Sequence, residues 1–227
     1  MCRNEFPRLF ELRDLLPDPL PDGVAIPALD NTLIEWPQKK QYFQQVESDL
    51  QGLDAQAWTA LQAKLTPWPK RHKTRVLEPL YDTLNEAKAY NYLKRIGCVD
   101  VHFVPVSPVK GQKTPDLGAE AQGRKVLCDV KTFNRSDAEI ARSRCGGVAT
   151  SIDQLSPEFM GKLKKTLAHA NEQMLLYDRD ARKIAYVFIN YDDHEYADRY
   201  QRQLDQYQAN NPILDLELVF DTHPFWY

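Results

Sequence analysis

Residues 115–131 constrain the fold most: Pro-Asp-Leu-Gly-Ala-Glu-Ala-Gln-Gly-Arg-Lys-Val-Leu-Cys-Asp-Val-Lys. Two strand-like runs flank Gln122-Gly123, a pair suited to a two-residue hairpin turn. With that turn, residues whose numbers sum to 245 pair across the hairpin. Ala121 then faces Arg124, and Asp116 faces Asp129. Directly opposed side chains lie roughly 4.5–5.5 Å apart at Cβ, where like charges destabilise a sheet. A divalent cation would reconcile two carboxylates in that position, since Mg²⁺ binds one or two carboxylates and keeps several waters. Strand alternation puts Lys131 on the face of Asp129. Val126, Leu127, Cys128, Val130 and Phe133 make the second strand apolar on both faces, as in a buried central strand. Charges on such a strand are costly unless paired or metal-bound.

Pro115-Asp116 and Asp129-Val130-Lys131 resemble the motif of the PD-(D/E)XK nuclease superfamily. The periodicity around them gives an element order that fits the same family. Residues 74–97 carry a helical stripe of Leu77, Leu80, Leu84, Ala89, Leu93 and Ile96, with Gly97 as the stop. Residues 99–105 alternate as a strand and precede the hairpin strands at 116–121 and 125–133. Ser136-Asp137-Ala138-Glu139 is a capping-box signature for a short helix, and Ser156-Pro157-Glu158 starts another that runs to Tyr177. A buried strand at 183–190, a helix at 194–209 and a strand at 213–220 complete the chain. The expected fold is α/β: a restriction-endonuclease-like mixed sheet with an αβββαβ core and an αβ extension, preceded by an N-terminal helical arm. Residues 1–70 are expected to form that arm and residues 71–227 the nuclease-like domain. Residues 1–35, rich in Pro, Asp and Leu, read as irregular; helices are expected at 37–49 and 54–65, with Asp54 as an N-cap.

The resemblance implies a metal-dependent phosphodiesterase, a deoxyribonuclease using Mg²⁺ with Mn²⁺ as a substitute. Asp116, Asp129, Lys131 and Glu86 would be catalytic. Glu86, Asp116, Asp129 and the Val130 carbonyl would hold the metal. Glu86 qualifies because it shares a helix face with Ala89, Tyr90 and Leu93. Gln173 and Tyr177 form Gln-x-x-x-Tyr, similar to a motif of RecB-like nucleases that lies near DNA. Lys162, Lys164 and Lys165, and Arg135, Arg142 and Arg144 after the Asp-x-Lys strand, are the remaining nucleic-acid-binding expectations.

Charge distribution agrees with a phosphate-bearing partner. The chain carries a net charge of −3, yet residues 64–165 hold 19 Lys and Arg against 11 Asp and Glu. Clustered charge is the footprint of nucleic-acid binding. The cysteines (Cys2, Cys98, Cys128, Cys145) lack CxxC spacing, and the histidines lack metal-ligand spacing. No run approaches the roughly 18 apolar residues of a membrane helix, so a cytoplasmic chain with no membrane partner is expected. By analogy of fold to role, a mobile-element, restriction or phage-defence setting is expected. The arm would meet a protein partner or a second copy. The rival reading is a nuclease-like module that binds nucleic acid or assembles with protein without cleaving.

Overall fold

The computed structural model describes residues 2–15, 37–65, 78–109, 111, 113–134, 154–191, 197–211 and 215–224. Among them the chain is α/β, with seven helices and one open, mixed, five-stranded sheet in the order β1-β2-β3-β4-β5. The helices are α1 (Cys2–Glu5), α2 (Pro7–Leu15), α3 (Pro37–Gln51), α4 (Ala55–Leu65), α5 (Glu78–Arg95), α6 (Pro157–Tyr177) and α7 (Ala197–Asn210). The strands are β1 (Val99–Phe103), β2 (Leu117–Ala121), β3 (Arg124–Phe133), β4 (Arg182–Tyr191) and β5 (Leu216–Pro224). From α5 onward the described elements run α-β-β-β-α-β and then α-β. No described helix is long and apolar enough to cross a membrane.

The chain divides into two compact units, Met1–Phe103 and Val104–Phe225. The boundary expected near residue 70 and the capping-box helix at 136–144 lie outside the described residues.

In the first unit, α1 and α2 correct the expectation of an irregular segment over residues 2–15; the rest of that stretch, residues 16–35, lies outside the described residues. Pro7 opens α2, and the buried Glu47 of α3 accepts from the N–H groups of Arg8 at 3.1 Å and Leu9 at 2.9 Å. Those are N–H groups of the first turn, which a helix cannot satisfy itself. A partner thirty-eight residues away in sequence, at Leu9, supplies the cap that no local residue offers. Phe6, Leu9, Phe10 and Leu12 are buried beneath it. Asp54 caps α4 as expected, accepting from the Ala57 N–H at 2.8 Å, and it also accepts from the Tyr90 hydroxyl at 2.8 Å. α5 ends where Gly97 takes φ +86°, and the N–H of Cys98 reaches back to the Leu93 carbonyl at 3.0 Å.

In the second unit, β2 and β3 are antiparallel, whereas β3–β4 and β4–β5 are parallel. α6 begins with Ser156, whose hydroxyl accepts from the Phe159 N–H at 3.1 Å, and Pro157 follows at the first helical position. Its buried stripe of Leu163, Leu167, Ala170 and Met174 joins Leu127, Phe133, Ala185, Val187 and Ile189 in one core cluster. α6 therefore covers the sheet face that carries the odd-numbered residues of β3.

Candidate active site

The hairpin forms with the register read from the sequence. Ala121 pairs with Arg124 and Leu117 with Cys128, every pair summing to 245. Gln122 (φ 54°) and Gly123 (φ 72°) both occupy the left-handed region, as a type I′ turn requires. The ladder stops at Leu117, one residue short of Asp116.

Asp116 sits where β2 gives out. Its N–H donates to the Cys128 carbonyl at 3.1 Å, and its own carbonyl accepts from the Val104 N–H at 3.0 Å. Its carboxylate Oδ2 accepts from the Val130 N–H at 2.7 Å. In a continued ladder that N–H would meet the carbonyl of Pro115, so a side chain has taken the place of backbone. The N–H and C=O of one strand residue point the same way. The Val130 carbonyl therefore faces the same edge, beside the Asp116 carboxylate.

Asp129 and Lys131 pair across β4 with Ala185 and Val187, which belong to the core cluster under α6. The two charged residues thus project on the α6 side of β3. Asp129 is only 1% exposed. Lys131 Nζ lies 2.7 Å from Asp129 Oδ2, while that oxygen accepts no hydrogen bond from the described residues. At that distance the ammonium balances the charge of the buried carboxylate. Burial pushes the Asp129 carboxyl up to about 6; Lys131 opposes the shift and the Asp116 carboxylate adds to it. Such a group costs stability when ionised, and it suits a cation's charge.

Among the described residues, no group of three or more His, Cys, Asp or Glu side chains is arranged to hold a metal ion. The hairpin offers two carboxylates and a backbone carbonyl, a hard oxygen donor set that fits Mg²⁺ with waters completing its shell. Glu86 belongs to the first unit, where its carboxylate accepts from Lys64 of α4 and both side chains are mostly buried.

α6 runs antiparallel to β3, because Lys162 Nζ lies 5.5 Å from the ring centroid of Phe133 and Lys125 Nζ lies 5.7 Å from that of Tyr177. At 3.6 residues per turn, Lys162, Thr166, His169, Gln173 and Tyr177 form one row along the helix. Lys164 lies across the buried stripe from that row, so the three exposed lysines do not share one line. Tyr177 is 38% exposed, its ring open to Lys125. Gln173 is buried, and its amide Nε2 donates to the Thr114 carbonyl at 2.7 Å. Lys113 Nζ contacts His169 Nε2 at 2.8 Å. Arg135, Arg142 and Arg144 lie outside the described residues.

Sequence reasoning missed Thr114, Lys113 and His169. The signal available was the i,i+4 spacing of His169 and Gln173, which puts them on one helix face. A cavity of about 330 Å³ at the start of β4 and β5, lined in part by Arg124, Arg182, Lys183 and Glu217, is separate from the hairpin cluster. Comparison with family models, curated proteins and solved structures finds no match to this chain.

Proposed function

We propose that the chain is a divalent-cation-dependent nuclease that hydrolyses phosphodiester bonds in DNA, on a restriction-endonuclease-like core. One observation carries the reading. A carboxylate that is 1% exposed, with an oxygen lacking a hydrogen bond, stands beside an ammonium and a second carboxylate where a strand ends. A purely structural pair gains little from such a place, because a buried ion pair is at best weak support for stability. The element order from α5 to β4 agrees with the core that the motif resembles.

Asp129 and Asp116 are cation ligands, with the Val130 carbonyl as a third donor. A bound Mg²⁺ or Mn²⁺ would polarise a phosphate oxygen and lower the pKa of an attacking water. Lys131, half-buried, holds its ammonium on the same face, where it orients that water or stabilises charge gathering on the phosphate. The exposed Lys162, on the row of α6 that runs over the end of β3, supplies a contact for a neighbouring phosphate.

Purified chain incubated with plasmid DNA, linear duplex, single-stranded DNA and RNA, in Mg²⁺, Mn²⁺, Ca²⁺ or chelator, tests this directly. Cleavage of DNA in Mg²⁺ or Mn²⁺, abolished in Asp129→Asn, is the expected result. Cleavage of RNA alone would move the substrate class. Absence of cleavage in both metals, or cleavage that survives Asp129→Asn, overturns the reading.

A further inference from the structure

The segment that enters Asp116 is held from the side by α6. Gln173, buried on the helix, donates from its amide to the carbonyl of Thr114 at 2.7 Å, two residues before Asp116. One turn earlier on the same helix face, His169 Nε2 meets Lys113 Nζ at 2.8 Å. Pro115, which is buried, follows directly, and its ring fixes φ between the two anchored points. The β2–β3 ladder does not reach Asp116, so ladder pairing does not place it. What places it is the Val104 N–H on its carbonyl, the Cys128 carbonyl on its N–H, and the α6 contacts upstream.

We infer that Gln173 is a positioning residue for Asp116: its amide, through the Thr114 carbonyl, sets how the Asp116 carboxylate meets the Val130 N–H and Asp129. The chemistry favours a fixed role. A buried side-chain amide paired with a carbonyl is costly to break, because each group left unpaired loses its solvation without return. Gln173 therefore spends one of its two amide N–H donors on the backbone. α6 is long, packed along one face and capped by Ser156, which makes it a rigid support for that one bond.

The inference rests in part on the metal-site reading, so its first test avoids metal. Amide hydrogen exchange is measured at Val130, the N–H held by Asp116 Oδ2 at 2.7 Å, in wild type and in Gln173→Ala and Gln173→Glu. The glutamate variant keeps the size of the side chain and replaces the donor with an acceptor, so it discriminates a lost bond from a cavity. Exchange at Val130 should accelerate at least tenfold in both, while amides in the β3–β4 ladder keep their protection. Unchanged exchange at Val130, or a uniform acceleration across β3 and β4, overturns the inference.

The second test is a double-mutant cycle on Mn²⁺ affinity by calorimetry. Removal of an outer-shell partner typically weakens metal binding 10–100-fold. Gln173→Ala should weaken Mn²⁺ binding by about tenfold in wild type and have no further effect in Asp116→Asn, because both changes act through one carboxylate. Equal losses in the two backgrounds overturn the positioning role even where Mn²⁺ binds. Absence of Mn²⁺ binding to wild type instead removes the metal-site reading, and the exchange experiment then decides the role of Gln173 alone.

Discussion

Replacing Asp129 with Asn should stabilise the metal-free protein at neutral pH, and the size of the gain follows from its burial. The folded carboxyl titrates near 6 against an ordinary value of 3.8. Between those values the native state binds a proton that the unfolded chain has released. Stability is therefore full below about pH 4 and declines as pH rises through about 6, the reverse of a salt-bridged acid with a depressed value. Two pKa units and a little more, at 1.36 kcal/mol each, set the ionisation cost at about 3 kcal/mol. Asn keeps the shape and removes the charge. It also strands Lys131, but that side chain is 28% exposed and reaches water, so part of the gain survives. Urea unfolding in chelator should find Asp129→Asn more stable by roughly 1–3 kcal/mol at pH 7.5 and equal to wild type at pH 4. Saturating Mg²⁺ should reverse the order, since a ligand at 100 times its Kd adds about 2.7 kcal/mol to the state that binds it. A wild type whose stability is flat from pH 4 to 7, or a variant less stable at pH 7.5, refutes the argument that the ionised carboxylate is held at a cost.

Lys131→Ala should lose cleavage while Mn²⁺ and DNA still bind, and metal-free stability at pH 7.5 should fall by about 1–2 kcal/mol, less than for a fully buried pair because Lys131 is half-solvated. Glu86→Gln should cost about 1 kcal/mol by breaking its pair with Lys64; calorimetry of the same variant reads the ligand role that the sequence motif implies, with Mg²⁺ affinity reduced if Glu86 ligates and unchanged if it only pairs. Gly123→Ala should cost about 1–2 kcal/mol in thermal or urea unfolding, a backbone effect alone, since φ is +72° and no atom lies within 4 Å of the added Cβ. Lys162→Ala should reduce by about one the slope of log affinity for DNA against log salt, measured in Ca²⁺, whereas Lys164→Ala should leave it unchanged.

The hairpin was legible because every determinant of its register is local. A two-residue turn, a period of two and one arithmetic sum set the pairing from Ala121 with Arg124 to Leu117 with Cys128, one residue short of Asp116. The ends of α6, the cap at Asp54 and the stop at Gly97 were legible for the same reason. The features that were not legible depend on partners far along the chain. Lys64 pairs with Glu86 from another helix, twenty-two residues away. Glu47 caps α2 across a gap of thirty-eight residues to Leu9. Gln173 reaches Thr114 across fifty-nine residues, and nothing in a helical Gln-x-x-x-Tyr says whether the glutamine faces a ligand or a carbonyl. Periodicity assigns a side chain to a face; it does not say what occupies the space opposite.

The two-residue turn makes chain length, and not chemistry, the constrained quantity between the two carboxylates. Glu120, Gln122, Gly123, Arg124 and Lys125 are exposed, so their side chains can vary widely provided the turn retains its left-handed backbone. One residue added to or removed from either arm is a different matter. It turns every side chain beyond it to the opposite face, sending Asp116 away from Asp129 without touching either residue. Two residues added to one arm restore the face but slide Asp116 one pleat along β3, roughly 7 Å, past the Val130 N–H that now holds it. The hairpin thus works as a ruler with a single graduation: it tolerates rewriting and rejects resizing.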